Sequence, residues 1–162
     1  MSPEKEQELY SKYPELFQDR TLPSSQSLMC FGCEHSDGWY GILSNLCFLI
    51  KQHERNIDGQ TKYRQKSDPE YQLEYTPVRF CQIKEKYGGL TVHYDGGDDY
   101  VHGLISMAEC MSYQICEECG NRGEPNKEGW IKTTCKLHKG VYMTFNEWLN
   151  ETEGFGGFSF RV

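Results

Sequence analysis

The most specific chemistry in the chain lies in two spaced pairs: Cys116-Glu-Glu-Cys119 is followed after fifteen residues by Cys135-Lys-Leu-His138. Zn²⁺ takes four tetrahedral sulfur or nitrogen ligands, and two residues on a tight turn can grip one edge of that tetrahedron while a distant pair supplies the other. Gly120, directly after Cys119, suits the left-handed turn such a grip needs. Residues 129 to 133, GWIKT, read as a strand leading into the second pair, as in a zinc ribbon or treble-clef hairpin. Three Cys and one His fill all four positions and leave none for water, so the expected Zn²⁺ is structural rather than catalytic.

Other reactive residues form weaker patterns. Cys30-Phe-Gly-Cys33-Glu-His35 offers two thiols and an imidazole as a candidate second metal site, lacking a fourth ligand unless Cys47 or His53 turns out of its helix. The bland reading of the same residues is a turn whose thiols pack against Trp39. A thiol nucleophile would need a base beside it, and Cys81 with His93 or His102 is the available combination. A strand Cys is more often core and a hairpin His more often surface, so no catalytic residue is assigned. The aspartates of DGGDD, residues 95 to 99, lack the Lys and Ser or Thr of a phosphate loop and read as turn and cap. In the metal segment, Arg122, Lys127, Lys132, Lys136 and Lys139 with Trp130 would suit phosphate and base contacts, although four glutamates nearly cancel their charge.

These residues need elements to position them. Residues 3 to 18 predict a helix broken by Pro14, with Leu9, Tyr10, Tyr13, Leu16 and Phe17 on one stripe; residues 19 to 29 read as a loop. From Asp37, a suitable helix cap, Trp39, Ile42, Leu43, Leu46, Cys47, Ile50 and His53 recur at spacings of three and four, predicting an amphipathic helix. Cys47 falls on the buried stripe. Residues 51 to 69 carry five Lys or Arg against three Asp or Glu without apolar periodicity and predict a mobile loop. Tyr75 to Gln82 and Leu90 to Tyr94, around Gly88-Gly89, predict an antiparallel hairpin, and Val101, Leu104, Ile105, Ala108 and Met111 a second amphipathic helix. Thr144 to Glu151 predicts a short last helix, followed by a Phe/Gly-rich end.

The expected fold is therefore α+β: amphipathic helices packed on an antiparallel hairpin or small sheet, with a zinc-ribbon or treble-clef-like module. The expected organisation is a body over 1–112, a zinc-binding module over 113–140 and a C-terminal short helix and tail over 141–162. At 162 residues the chain can bury a core of its own, and 14% aromatic residues argue against general disorder despite a mean hydropathy of −0.73. No apolar run is long enough for a membrane span and the first residues lack a signal-peptide pattern, which predicts a cytoplasmic protein without a membrane partner. There, eight cysteines point to metal rather than disulfides. A net charge of −7 disfavours duplex DNA as a partner.

The runs GWYGILSNLC, QIKEKYGGLTVHYDGGDDYVHGLISMAE, CEECGNRG and GWIKTTCKLH together resemble a widespread family of small uncharacterised phage and prophage proteins. The similarity spans Cys33 to His138; Ser36-Asp-Gly-Trp39 and Lys84-Glu-Lys-Tyr-Gly88 match its motifs, whereas Cys30, Cys110 and the Phe/Gly-rich end have no counterpart. The resemblance implies an accessory protein in the host cytoplasm that binds a host protein, for instance as an inhibitor of a defence or regulatory factor. The expected function is accordingly a zinc-stabilised, non-enzymatic interaction module, with a single-stranded nucleic-acid or nucleotide-binding zinc protein as the alternative.

Overall fold

The computed structural model of the protein describes residues 1–126 and 129–139. The expectations for Thr144 to Glu151, the tail and Lys127 fall outside these residues. Helix α1 (Pro3–Lys12) opens on Pro3, whose missing N–H is no loss in a first turn. The helix ends before Pro14, and a turn and a 3₁₀ segment (Gln18–Thr21) follow. Leu9, Tyr13, Leu16 and Phe17 are buried, as their spacing predicts. The stretch read as a loop contains a second 3₁₀ segment (Leu28–Phe31), capped by Ser27, whose hydroxyl accepts from Met29 N at 3.2 Å. It leads to a short strand, β1 (Cys33–Glu34), that the sequence reading lacked.

A 3₁₀ turn (Asp37–Trp39) leads into α2 (Tyr40–Arg64). Ile42, Leu43, Leu46, Cys47 and Ile50 are buried on one face, matching the periodic stripe. The mobile loop expected over 51 to 69 is a correction: α2 runs on to Arg64. Periodicity is absent there because this part of the helix is mostly solvated, and its support comes from its own charges. Lys62 pairs with Asp58 at 2.6 Å, Lys51 with Glu54 at 2.6 Å, and Glu54 Oε1 accepts from Val78 N at 2.9 Å, tying the helix to the chain entering the hairpin. Asp37 does not cap α2; its carboxylate accepts from Ser2 N at 2.7 Å instead.

The hairpin consists of β2 (Arg79–Lys86) and β3 (Gly89–Asp95), joined by Tyr87 and Gly88, both at positive φ (52° and 80°). Two positive-φ residues make the turn whose twist matches a hairpin. β1 pairs in parallel with β2, Cys33 opposite Ile83, giving the order β1-β2-β3. Helix α3 (Asp99–Ser112) starts on the cap the sequence predicts: Asp98 Oδ1 accepts from Val101 N at 3.1 Å. Val101, Ile105 and Ala108 are buried, whereas Met111 is 44% exposed and leaves the expected stripe. α3 packs on α2 and on β3, while both 3₁₀ segments cover β2. One core joins α2 to Phe80, Ile83, Leu90 and Val92 and to the N-terminal Phe17, whose ring meets Phe80 edge-on at 5.2 Å. The α+β class therefore holds, with a small mixed sheet in place of a bare hairpin. Two further short strands, β4 (Glu124–Pro125) and β5 (Thr133–Thr134), pair antiparallel beside the Cys/His segment. The strand expected over 129 to 133 is thus confined to its last residue and the next.

Candidate metal centre

Cys116 and Cys119 sit at the tip of a tight turn. Ile115 bridges Arg122, Cys116 N donates to Asn121 O at 2.7 Å, and Gly120 N closes the turn on Cys116 O at 2.9 Å. Gly120 has φ +77°, the left-handed geometry expected of it. Cys135 and His138 form a second turn, closed by His138 N on Cys135 O at 3.0 Å. Between them, Glu117 N donates to Thr133 O at 2.9 Å, so the first turn is hydrogen-bonded to β5, which delivers the second.

The four ligand atoms lie within 4.8 Å of one another. His138 Nδ1 stands 3.5 Å from Cys116 Sγ and 3.3 Å from Cys135 Sγ, and Cys119 Sγ stands 3.7 Å from Cys135 Sγ. With metal–sulfur bonds near 2.3 Å and metal–nitrogen bonds near 2.0–2.1 Å, a tetrahedron has edges of about 3.8 Å between sulfurs and about 3.6 Å between sulfur and nitrogen. The residues present therefore fit such an ion. The backbone supports the thiolate form. Burial pushes the Cys135 thiol up, but the N–H groups of His138 and Leu137, then the Cys119 and His138 side chains, outweigh it and bring Cys135 down to about 6. Cys116 remains raised because burial exceeds the help of the amides of Cys135, Cys119 and Glu118. Asn121 Nδ2 donates to Cys119 Sγ at 3.3 Å.

Outside the ligands, the site is seated on the start of α2. Gly38 N donates to Glu117 O at 2.7 Å, and a Cβ on Gly38 would stand 2.1 Å from Cys116 O and 2.5 Å from Gly120 N. Only glycine admits the metal turn there. Trp39, fully buried, donates its Nε1–H to Ile115 O at 2.7 Å. Glu117, 1% exposed, accepts from Ser36 N at 3.0 Å and pairs with Lys132 Nζ at 2.7 Å. Sequence reasoning missed Glu117, because a Glu between two ligands carries no mark of burial. Lys132, read as a phosphate contact, holds this carboxylate. The Ser36-Asp-Gly-Trp39 motif is a helix start, as the sequence predicts, and it also seats the Cys116–Cys119 turn.

The remaining candidates separate. Cys30, Cys33 and His35 do not converge: among the described residues only Cys116, Cys119, Cys135 and His138 bring three or more such ligand atoms together. Cys30 is exposed and Cys33 buried. It is the His35 ring that lies 5.7 Å from that of Trp39, where the bland reading had the thiols. Burial, and next the Glu6 carboxylate, push the Cys33 thiol up to about 12. Cys47 is fully buried, and His53 Nε2 lies 2.8 Å from Asp98 Oδ2. Cys81 falls on a bulge in β2, so His93 stands opposite Gln82. Burial, and next a hydrogen bond with Asp95, raise the Cys81 thiol to about 11. His102 Nδ1 instead meets Tyr94 OH at 3.2 Å. Arg122 and Lys136 line a concavity of about 680 Å³ beside Cys135, with Leu137 (84% exposed) at its rim, and Lys139 is exposed. Trp130 lies elsewhere, in a groove with Tyr87. No helix among the described residues is long and apolar enough to cross a membrane. Comparison with protein families, with curated proteins and with solved structures finds no match to this chain.

Proposed function

We propose that the chain is a zinc-stabilised interaction module that acts by docking on another protein. The observation that carries this reading is the closed donor set. Three sulfurs and one imidazole nitrogen at tetrahedral spacing favour Zn²⁺, and they leave it no position for substrate. Bound there, the ion would cross-link the turn at Cys116 to the turn at Cys135 in the manner of a zinc ribbon. Large apolar side chains remain in solvent, Leu137 at 84% exposure beside Cys135 and, in the groove at the hairpin tip, Trp130 at 70% and Tyr87 at 72%. Such aromatic anchors on a rigid support dominate protein interfaces. In this reading the partner is a protein of an infected bacterial host and the outcome is inhibition of a defence or regulatory factor; what supports it is the resemblance of the sequence motifs to phage and prophage proteins.

The test has two parts. Elemental mass spectrometry of protein purified without added metal should return one zinc per chain. Affinity capture from infected cells should then recover a partner that is lost on Leu137→Glu and kept on Cys81→Ser, His93→Gln or His102→Gln at matched folded amounts. Loss of biological activity on those three changes alone, with the surface change silent, would point to an enzyme instead.

A further inference from the structure

The metal segment and the hairpin meet at a second place. Thr133 Oγ1 donates to Gly88 O at 2.5 Å in a buried hydrogen bond, and Ile131 Cγ2 lies 3.0 Å from where a Cβ on Gly88 would stand. The hairpin tip and the chain entering β5 are thus fixed to each other. Between them runs a groove of about 390 Å³ lined by Lys84, Lys86 and Tyr87 on one side and Trp130 and Ile131 on the other. Two of the runs that carry the resemblance, KEKYG and GWIK, form its walls.

Tyr87 is an unusual residue for its place in the hairpin turn. Its φ of +52° is the left-handed region, where the first residue of such a turn is ordinarily Asn, Asp or Gly, and its ring is 72% exposed. Strain kept at an exposed aromatic is a mark of a binding surface. Trp130, 70% exposed, faces solvent across the groove. Lys84 and Lys86 alternate along β2, so they share a face about 7 Å apart. Neither forms an ion pair with a carboxylate among the described residues, while Lys5, Lys51, Lys62, Arg79 and Lys132 all do. Lys86 Nζ sits 5.7 Å from the Tyr87 ring centroid. The third charged group, Glu85, turns its Oε1 to Gly88 N at 2.7 Å.

The exposed Trp130 ring, the Tyr87 ring with Lys86 over one face, and two spaced lysines without a carboxylate partner among the described residues suit a planar base followed by phosphates. We propose that this groove binds single-stranded nucleic acid, with bases stacking on Trp130 and Tyr87 and successive phosphates at Lys84 and Lys86. The chain's net charge of −7 does not forbid this, because screening at physiological salt reaches about 8 Å and the site engages two phosphates rather than a duplex backbone. The inference shares the exposed Trp130 and Tyr87 with the docking reading above and, apart from Trp130, uses different residues from the basic set read in the sequence; partner capture lost on Leu137→Glu and oligonucleotide binding lost on Lys84→Glu with Lys86→Glu tell the two apart.

The experiment uses the full, zinc-loaded chain with fluorescein-labelled dT12 and U12, followed by anisotropy and by tryptophan emission. Saturable binding with quenched emission is expected, and the logarithm of affinity should fall against the logarithm of salt with a slope of about −1.4, that is about −0.7 for each of two phosphates. Trp130→Ala should weaken binding roughly tenfold and remove most of the quenching. Tyr87→Asn is the sharper variant: Asn accepts the turn's positive φ, so the protein should melt no lower than wild type while binding weakens roughly tenfold. Lys84→Glu with Lys86→Glu should abolish binding, and Lys66→Glu, beyond the end of α2, should leave it within twofold. The proposal is overturned if neither oligonucleotide binds at 20 mM salt, if Tyr87→Asn and Trp130→Ala bind as wild type, if a duplex binds equally well, or if free dTMP or a poly-Glu peptide displaces dT12 at equal concentration.

Discussion

The chain contains two Cys/His clusters, and only one of them is arranged to hold a metal. Around Cys135, backbone N–H groups point at sulfur and bring the thiol down to about 6. Around Cys33, the backbone N–H points away, to Glu6 Oε1 at 2.5 Å, and burial beside that carboxylate pushes the thiol up to about 12. His138 presents Nδ1 to two sulfurs, whereas His35 Nδ1 meets Ser36 O at 2.8 Å and its Nε2 is buried without a hydrogen-bond partner among the described residues. Both clusters contain Cys-x2-Cys. What separates them is convergence: four ligand atoms lie within 4.8 Å of one another at one cluster, whereas at the other burial, and next the Glu6 carboxylate, keep Cys33 a thiol away from any partner set.

The largest expected effect tests that contrast directly. Cys119→Ser or Cys135→Ser should reduce bound zinc from one per chain to near zero after dialysis, while Cys30→Ser and Cys33→Ser should keep one per chain. Elemental analysis reads this, and loss of zinc from the Cys33 variant would erase the distinction between the clusters. Chelation of the wild type should deprotect amides of 113–126 and 129–139 first in hydrogen exchange, with Gly38 and Trp39 opening alongside them and α3 staying protected. Simultaneous opening of the hairpin would make the metal part of the central core.

Next in size is Gly38→Ala. Its Cβ would meet backbone atoms, not a flexible side chain, and the metal turn has to move; a loss of at least about 3 kcal/mol in urea unfolding is expected. Gly41→Ala, three residues on in the first turn of α2, meets nothing within 4 Å and should stabilise by several tenths of a kcal/mol. A mild effect at Gly38 would show that the two regions are less tightly joined than their contacts indicate.

The smallest effect concerns His35. Burial, the leading cause, lowers it to about 4 in the folded chain, against about 6.5 when unfolded. The unfolded state therefore takes up the proton first as pH falls. Stability from this group is complete above about 6.5 and declines toward 4, by about 1.5 kcal/mol at pH 5.5. Urea midpoints of wild type and His35→Gln at saturating zinc should converge over that interval. A constant difference would mean that His35 is not held neutral.

The comparison also shows what the sequence made legible. The stripe Ile42, Leu43, Leu46, Cys47 and Ile50, the cap at Asp98, the hairpin and the four-ligand spacing were readable because each has a local period or pattern. The second half of α2 was not, since ion pairs such as Lys62 with Asp58 leave no apolar rhythm. β1 is two residues long and exists only through its partner β2. The bulge at Cys81, which sets His93 against Gln82, follows from tertiary packing and has no local signal. The same is true of Glu117 and Lys132, whose pairing depends on where two distant turns meet.

The contacts of the segment before β1 with β2 set a schedule for the chain as it is made. Phe80 N donates to Leu16 O at 2.8 Å, and Ser27 Oγ donates to Cys81 O across 54 residues. At about 5–20 residues per second of synthesis, Ser27 waits roughly 3–11 s before its partner exists. During that interval Phe17 lacks its edge-on partner Phe80, whereas Tyr10 and the buried face of α2 have already been made. The layer that Gln18–Thr21 and Leu28–Phe31 form over β2 therefore settles only once that strand has been made, although its own residues precede the strand by some fifty positions.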